Sequence, residues 1–162
     1  MILFKAYYHI KCLLIIIMYK IIYMDRLNIN ITVTFRDDFR LMIAKQGKVI
    51  IDDGVFFNNN CSITALNKVT IGANTIIGEN VKIYDHNHVF SNKDKLIKKQ
   101  GFSVANVNIG KNCWLGSNVV ILKKAVIGDN CVIGAGCVIN QVIPSNSIVK
   151  VTSNCLTITP RK

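Results

Sequence analysis

A six-residue period constrains what this chain can fold into more than any other feature of its sequence. Ile71, Ile77 and Ile83 stand six apart, and Ile109, Leu115, Ile121, Ile127, Ile133 and Ile139 keep that step without a break. Ile51, Phe57 and Ile63 keep it earlier in the chain. Glycine often follows the aliphatic residue (Gly72, Gly78, Gly110, Gly116, Gly128, Gly134). Asparagine often stands three after it (Asn74, Asn80, Asn112, Asn118, Asn130), and a small or branched residue four after it (Thr75, Val81, Cys113, Val119, Ala125, Cys131, Cys137). This period matches neither a helix, with about 3.6 residues per turn, nor a plain alternating strand. It matches a short strand, a turn and another short strand. Gly and Asn accept the positive φ of tight turns, and branched side chains favour extended backbone. Three such units close one triangular coil with the aliphatic residue inside, and coils stack at the ordinary strand spacing of about 4.8 Å. The pattern predicts an all-β parallel β-helix over residues 28–147, preceded by a hydrophobic segment (1–27) and followed by a tail (148–162).

Two interruptions break the period. The step from Ile63 to Ile71 is eight, so two residues are inserted near Leu66 to Lys68. The step from Ile83 to Ile109 is twenty-six, and residues 89–106 carry no repeat but hold Lys93, Lys95, Lys98 and Lys99. This stretch reads as a loop extruded from the coil, and long loops on rigid scaffolds commonly carry function.

Composition narrows the partners. The net charge is +11, from 20 Lys and Arg against 9 Asp and Glu, which points to an anionic ligand or surface. With no zinc-finger spacing and no aromatic RNA-binding signature, nucleic acid is not the expected partner. The six cysteines form no Cys-x-x-Cys pair, and Cys113, Cys131 and Cys137 fill the small position of the repeat. They read as core fillers in a reduced, cytoplasmic protein rather than as a disulfide framework. Residues 12–24 (CLLIIIMYKIIYM) form an apolar run broken by Lys20. The run falls short of the roughly 20 residues that span a bilayer, and no small-residue cleavage site follows it. It is expected to pack, as a helix or a strand, on the domain or on a neighbouring subunit. A peripheral contact at the inner face of the membrane is the second reading.

The stretches IGANTIIGENVKIYDHNH and NIGKNCWLGSNVVILKKAVIGDNCVIGAGCVI resemble the hexapeptide-repeat acyltransferases. Within them the similarity is to the maltose and galactoside O-acetyltransferase branch and its capsule and O-antigen O-acetyltransferase relatives. It covers roughly residues 49–147. The resemblance implies a left-handed coil, an exception to the right-handed crossover rule, and a homotrimer with active sites between subunits. It implies acetyl-CoA as co-substrate and a saccharide hydroxyl as acceptor. His86 falls on the family's catalytic histidine. Asn80 and Trp114 match residues lining the acceptor cleft, Gly116 and Ser117 match backbone that meets the thioester, and Ala135, Asn140 and Gln141 fall where CoA is gripped. The sequence also departs from the family. Gln141 stands where Lys is frequent, Val151, Thr152 and Ser153 replace a Gly-x-Pro turn, and Cys155 and Ile158 stand at basic positions. Lys123 and Lys124 replace a Pro-Gly corner. Lys123, Lys124, Lys150, Arg161 and Lys162 are the cations left to meet CoA phosphates.

A neutral imidazole can take a hydroxyl proton near neutral pH, which suits His86 as general base. Asp85 can orient that imidazole or lie in an exposed turn, and His88 can contact the acceptor or serve the loop. Zinc needs three spaced ligands. The three histidines are His9, His86 and His88, so no metal is expected. The competing functional readings are N-acetylation of an amino-sugar nucleotide and a non-catalytic assembly module of the same fold.

Overall fold

A computed structural model describes residues 2–152 and 155–160 of the 162-residue chain. It is a left-handed parallel β-helix of about six turns with a helix at its N-terminal end. Face one stacks Leu27–Ile29, Lys48–Ile51, Lys68–Ile71, Val107–Ile109, Val126–Ile127 and Val142–Ile143. Face two stacks Thr34–Phe35, Phe56–Phe57, Ile76–Ile77, Trp114–Leu115, Val132–Ile133 and Ser147–Thr152. Face three stacks Arg40–Ile43, Ser62–Ala65, Lys82–Tyr84, Val120–Ile121 and Val138–Ile139. Cys155–Pro160 turns back and pairs antiparallel with Ser147–Thr152. The tail thus continues face two before reversing along it.

The period dictates this stacking. Each repeat aliphatic sits in register on its counterpart one coil away: Ile71 on Ile109, Leu115 on Ile133, Ile121 on Ile139. These residues are buried. At the corners, Asn60, Asn74, Asn80, Asn112, Asn118, Asn130 and Asn146 adopt φ between 52° and 61°. Asparagine tolerates this left-handed backbone better than most residues do. Its amide then hydrogen-bonds along the stack, as from Asn112 to Asn130 (2.8 Å) and from Asn80 to Asn118 (2.7 Å). Gly116 has a different reason to be small: a Cβ there would lie 2.6 Å from the Ala135 nitrogen on the next coil.

Cys113, Cys131 and Cys137 point into the core, where the Cys113 thiol meets the Gly128 carbonyl (3.2 Å) and the Cys131 thiol the Pro144 carbonyl (3.1 Å). Burial pushes the Cys113 thiol up to about 11 and raises Cys61 and Cys137 as well. The thiolate is the reactive form. At pH 8 these three thiols should therefore resist iodoacetamide in the native protein and label readily in guanidinium. Mass spectrometry of the labelled peptides checks this, and fast native labelling of Cys113 would contradict the packing.

The N-terminal segment forms helix α1, Ile2–Tyr23. It is longer than the apolar run alone suggests. Tyr7–Arg26 is long and apolar enough to cross a membrane by length and composition, which corrects the expectation that this segment falls short. One stripe of α1 covers the open end of the first coil, with Cys12 and Ile16 buried and Tyr19 and Tyr23 partly so. The helix and the 3-10 turn Met24–Arg26 after it also serve the edge carbonyls that no further coil pairs. Tyr19 donates to Phe39 O (3.2 Å), Tyr23 to Leu41 O (2.8 Å) and Arg26 to Ile43 O (3.1 Å). A solenoid needs such a cap, since an exposed edge pairs with other chains.

Candidate active site

The corner between faces three and one is where the period breaks, and the candidate site is built there. In the second and third coils the register step is twenty rather than eighteen, because Leu66 and Asn67 are inserted between Ala65 and Lys68. The backbone N–H groups of that inserted pair both donate to the Asp85 carboxylate, Leu66 to Oδ1 (2.8 Å) and Asn67 to Oδ2 (2.7 Å). Asp85 is 0% exposed. A buried carboxylate needs such donors to offset its desolvation. Its Oδ1 also meets His86 Nδ1 at 3.2 Å. Asp85 therefore lies beneath His86, not in an exposed turn.

His86 opens the extruded arm. His86–His88 pairs antiparallel with Phe102–Val104, so the arm is a two-stranded ribbon that begins at His86 rather than near residue 89. The imidazole side chain is 15% exposed. Edge-to-face contacts with Tyr84 (6.0 Å) and Phe102 (5.4 Å) fix its ring. With Nδ1 held by Asp85, Nε2 is the nitrogen left for a substrate. His88 is exposed and tilts against Phe102 (4.5 Å) further out on the ribbon. Lys123 Nζ bonds Ser103 Oγ and ties the ribbon to the next coil. Asn87, Leu122, Lys123, Lys124 and Asn140 together line a cavity of about 320 Å³ at this corner. Lys124 holds the corner's left-handed position at φ 73°, where other corners carry Asn, Asp or Gly. Gln141 is exposed at the same corner one coil on.

The other predicted residues lie elsewhere on the prism. Gly116, Ser117 and Ala135 stack on the corner between faces two and three, and Asn80 lies on that corner too. The Ser117 N–H has no acceptor among the described residues. Trp114 is 55% exposed on face two, flanked by Ile76 and Val132. Within one chain the structure brings together Asp85, His86, Lys123, Lys124 and Asn140. It leaves Asn80, Gly116, Ser117 and Ala135 at a different corner, with Trp114 on the adjoining face two. A cavity of about 490 Å³ on face three, with Asn80, Lys82 and Tyr84 along one side, lies between the two corners. Ser153, Arg161 and Lys162 lie outside the described residues, as do the side chains of Cys155 and Ile158. Among the described residues no group of three His, Cys, Asp or Glu side chains converges as a metal set.

Sequence reasoning missed Tyr84, Asn87, Phe102 and Ser103. The two-residue insertion at Leu66 was the one signal of a structure built around Asp85.

The stacked coils with an arm extruded beside His86 are the architecture of the hexapeptide-repeat acetyltransferases that this chain resembles. Residues 106–141 match the family model for the bacterial transferase hexapeptide (six repeats). The chain is 29% identical over 117 residues to the putative lipopolysaccharide biosynthesis O-acetyl transferase WbbJ of Escherichia coli strain K12, over 68% of this chain and 60% of that protein. A hexapeptide-repeat containing acetyltransferase from Vibrio cholerae superposes with a TM-score of 0.69 at 25% identity, over 80% of this chain and 70% of the other. A galactoside acetyltransferase in complex with coenzyme A superposes with a TM-score of 0.62 at 26% identity, over 80% and 64%. The chain thus spans about three fifths of the curated relative's length.

Proposed function

We propose that this chain is an acetyl-CoA-dependent O-acetyltransferase acting on a saccharide hydroxyl in the cytoplasm. The observation that carries the proposal is the Asp85–His86 pair at the root of the arm, beside a cavity with two lysines. A sugar hydroxyl is a poor nucleophile until a base draws off its proton. In this reading His86 Nε2 takes the acceptor proton as the hydroxyl oxygen attacks the thioester carbon. The tetrahedral intermediate collapses by breaking the C–S bond, and the same proton passes to the departing CoA thiolate. The products are the acetyl ester and CoA–SH. Asp85 is buried, so its part is to orient His86 rather than to touch the acceptor. Backbone N–H groups near Gly116 and Ser117 would meet the oxyanion. Ala135, Asn140 and Gln141 would hold the pantetheine and adenosine parts of acetyl-CoA, and Asn80, Trp114 and His88 would position the acceptor.

Of these residues, Asp85, His86, Asn140 and Gln141 sit at the three–one corner, whereas Asn80, Gly116, Ser117 and Ala135 sit at the two–three corner. A cyclic homotrimer that sets one subunit's three–one corner against its neighbour's two–three corner would complete the site. The exposed apolar side chains of the arm, Phe90, Leu96 and Ile97, supply the surface for that contact. Thiol release from acetyl-CoA against a panel of saccharides and amino sugars tests the function. Turnover with neutral sugars supports O-transfer, turnover confined to amino sugars supports N-transfer, and none across the panel favours a non-catalytic module.

Lys124 should serve the donor. Lys124→Glu should raise the KM for acetyl-CoA by about 10- to 100-fold and leave the acceptor KM within about twofold, because a charged contact to phosphate is worth roughly 1.5–3 kcal/mol. Unchanged acetyl-CoA kinetics would make it a solvated corner residue.

A further inference from the structure

We propose that the outer face of α1 docks on an anionic lipid bilayer, with the helix lying in the plane of the headgroups. Tyr7, Ile10, Leu14, Ile17, Met18 and Ile21 make up that face, each between 46% and 72% exposed. They recur at three- and four-residue spacing, so they form one continuous stripe. A soluble surface rarely carries an apolar patch of this extent without a partner.

Charge selects the partner. The helix holds Lys5, Lys11 and Lys20 and no Asp or Glu, and the chain's net charge is +11. Two copies meeting through this face would repel, whereas an anionic bilayer attracts both the apolar stripe and the chain's positive surplus. A second observation lies where the helix meets face two. There a cavity of about 360 Å³ is lined by Tyr8, His9, Cys12, Phe35, Arg36 and Phe56. Its walls are largely apolar and aromatic, and its cation is Arg36, a residue suited to a lipid phosphate.

The helix lies flat rather than crossing because its inner stripe is already committed. Cys12 and Ile16 are buried on the first coil, and Tyr19, Tyr23 and Arg26 donate to carbonyls of that coil. Crossing the bilayer would break these bonds and expose the aromatic stack of Phe35, Phe39 and Phe57.

The test is vesicle flotation of the full chain, comparing phosphatidylglycerol and phosphatidylcholine in equal parts with phosphatidylcholine alone. The protein should float with the anionic vesicles and much less with the neutral ones. Leu14→Glu with Ile17→Glu should cut the partition coefficient at least about tenfold, and Arg36→Glu should weaken only the anionic case. Both leucine and isoleucine are exposed, so the double variant should keep its far-UV spectrum and its thiol release. That retention separates failed docking from failure of the transferase reading. Three results would overturn the proposal: no flotation of the wild-type chain, flotation that resists alkaline carbonate extraction (a spanning helix), or a fall in the solution mass of the free protein on introducing the double variant (a face that pairs copies).

Discussion

His86→Ala should lower kcat by about 10²–10⁴-fold, the usual cost of losing a general base, while acetyl-CoA still binds with nearly unchanged affinity by calorimetry. The split follows from geometry. The imidazole stands at the root of the arm with Nδ1 on Asp85, so what the variant loses, on the proposed mechanism, is the proton acceptor for the sugar hydroxyl. The lysines and Asn140 that line the neighbouring cavity are untouched. His88→Ala should cost far less, because His88 is exposed and meets only Phe102 among the ring contacts of the ribbon. A dead His88 variant beside an active His86 variant would move the base two residues along. If neither substitution matters, base catalysis from this arm is excluded.

Much of this scaffold is legible as spacing, and the reason is mechanical. Ile109 to Ile139 can be read at one glance because each step of six adds one strand and one corner, and eighteen residues return the chain to the same face. The first coil is harder to read. Ile29, Phe35 and Leu41 also stand six apart, but Asn30 and Arg36 replace the marker glycine. Its last corner is four residues longer, so Leu41 pairs with Ile63 across twenty-two positions. Helix α1 is ambiguous from its apolar run because a short run fits a helix or a strand. What decides it is the edge of the first coil, whose carbonyls need donors that Tyr19 and Tyr23 supply from one helical stripe and Arg26 from the turn after it. The arm is visible as a gap in the period, but its pairing is not. No repeat shows that Phe102 will face His88 and bring its ring edge-on to His86. Separation of the remaining candidate residues onto another corner is likewise invisible until the coil is closed, since Asn80 and His86 are neighbours along the chain but not around the prism.

Asp85→Asn should damage both stability and turnover, and the two losses have separate causes. In the wild type the carboxylate accepts from Leu66 N and Asn67 N and meets His86 Nδ1, all from a position with no exposed surface. An amide in the same place has one acceptor oxygen and one NH₂ group, so at least one of the two backbone donors faces another donor. A buried donor without a partner costs about 1–3 kcal/mol, and urea unfolding should show a loss of that size with the m-value unchanged. The imidazole also loses its charged acceptor: it faces a neutral amide oxygen or, with the amide turned over, an NH₂ group, and neither holds the proton on Nδ1 as the carboxylate does. That should lower kcat by about 10²-fold or more, with little change in the KM for acetyl-CoA. A purely structural aspartate would produce the first loss without the second. The decisive comparison is the double variant with His86→Ala. If Asp85 acts through His86, the double variant should be no slower than His86→Ala alone, because a residue cannot orient a base that is gone. If the two losses in kcat instead multiply, Asp85 has a catalytic contribution that does not run through His86, and the positioning role assigned to it is wrong.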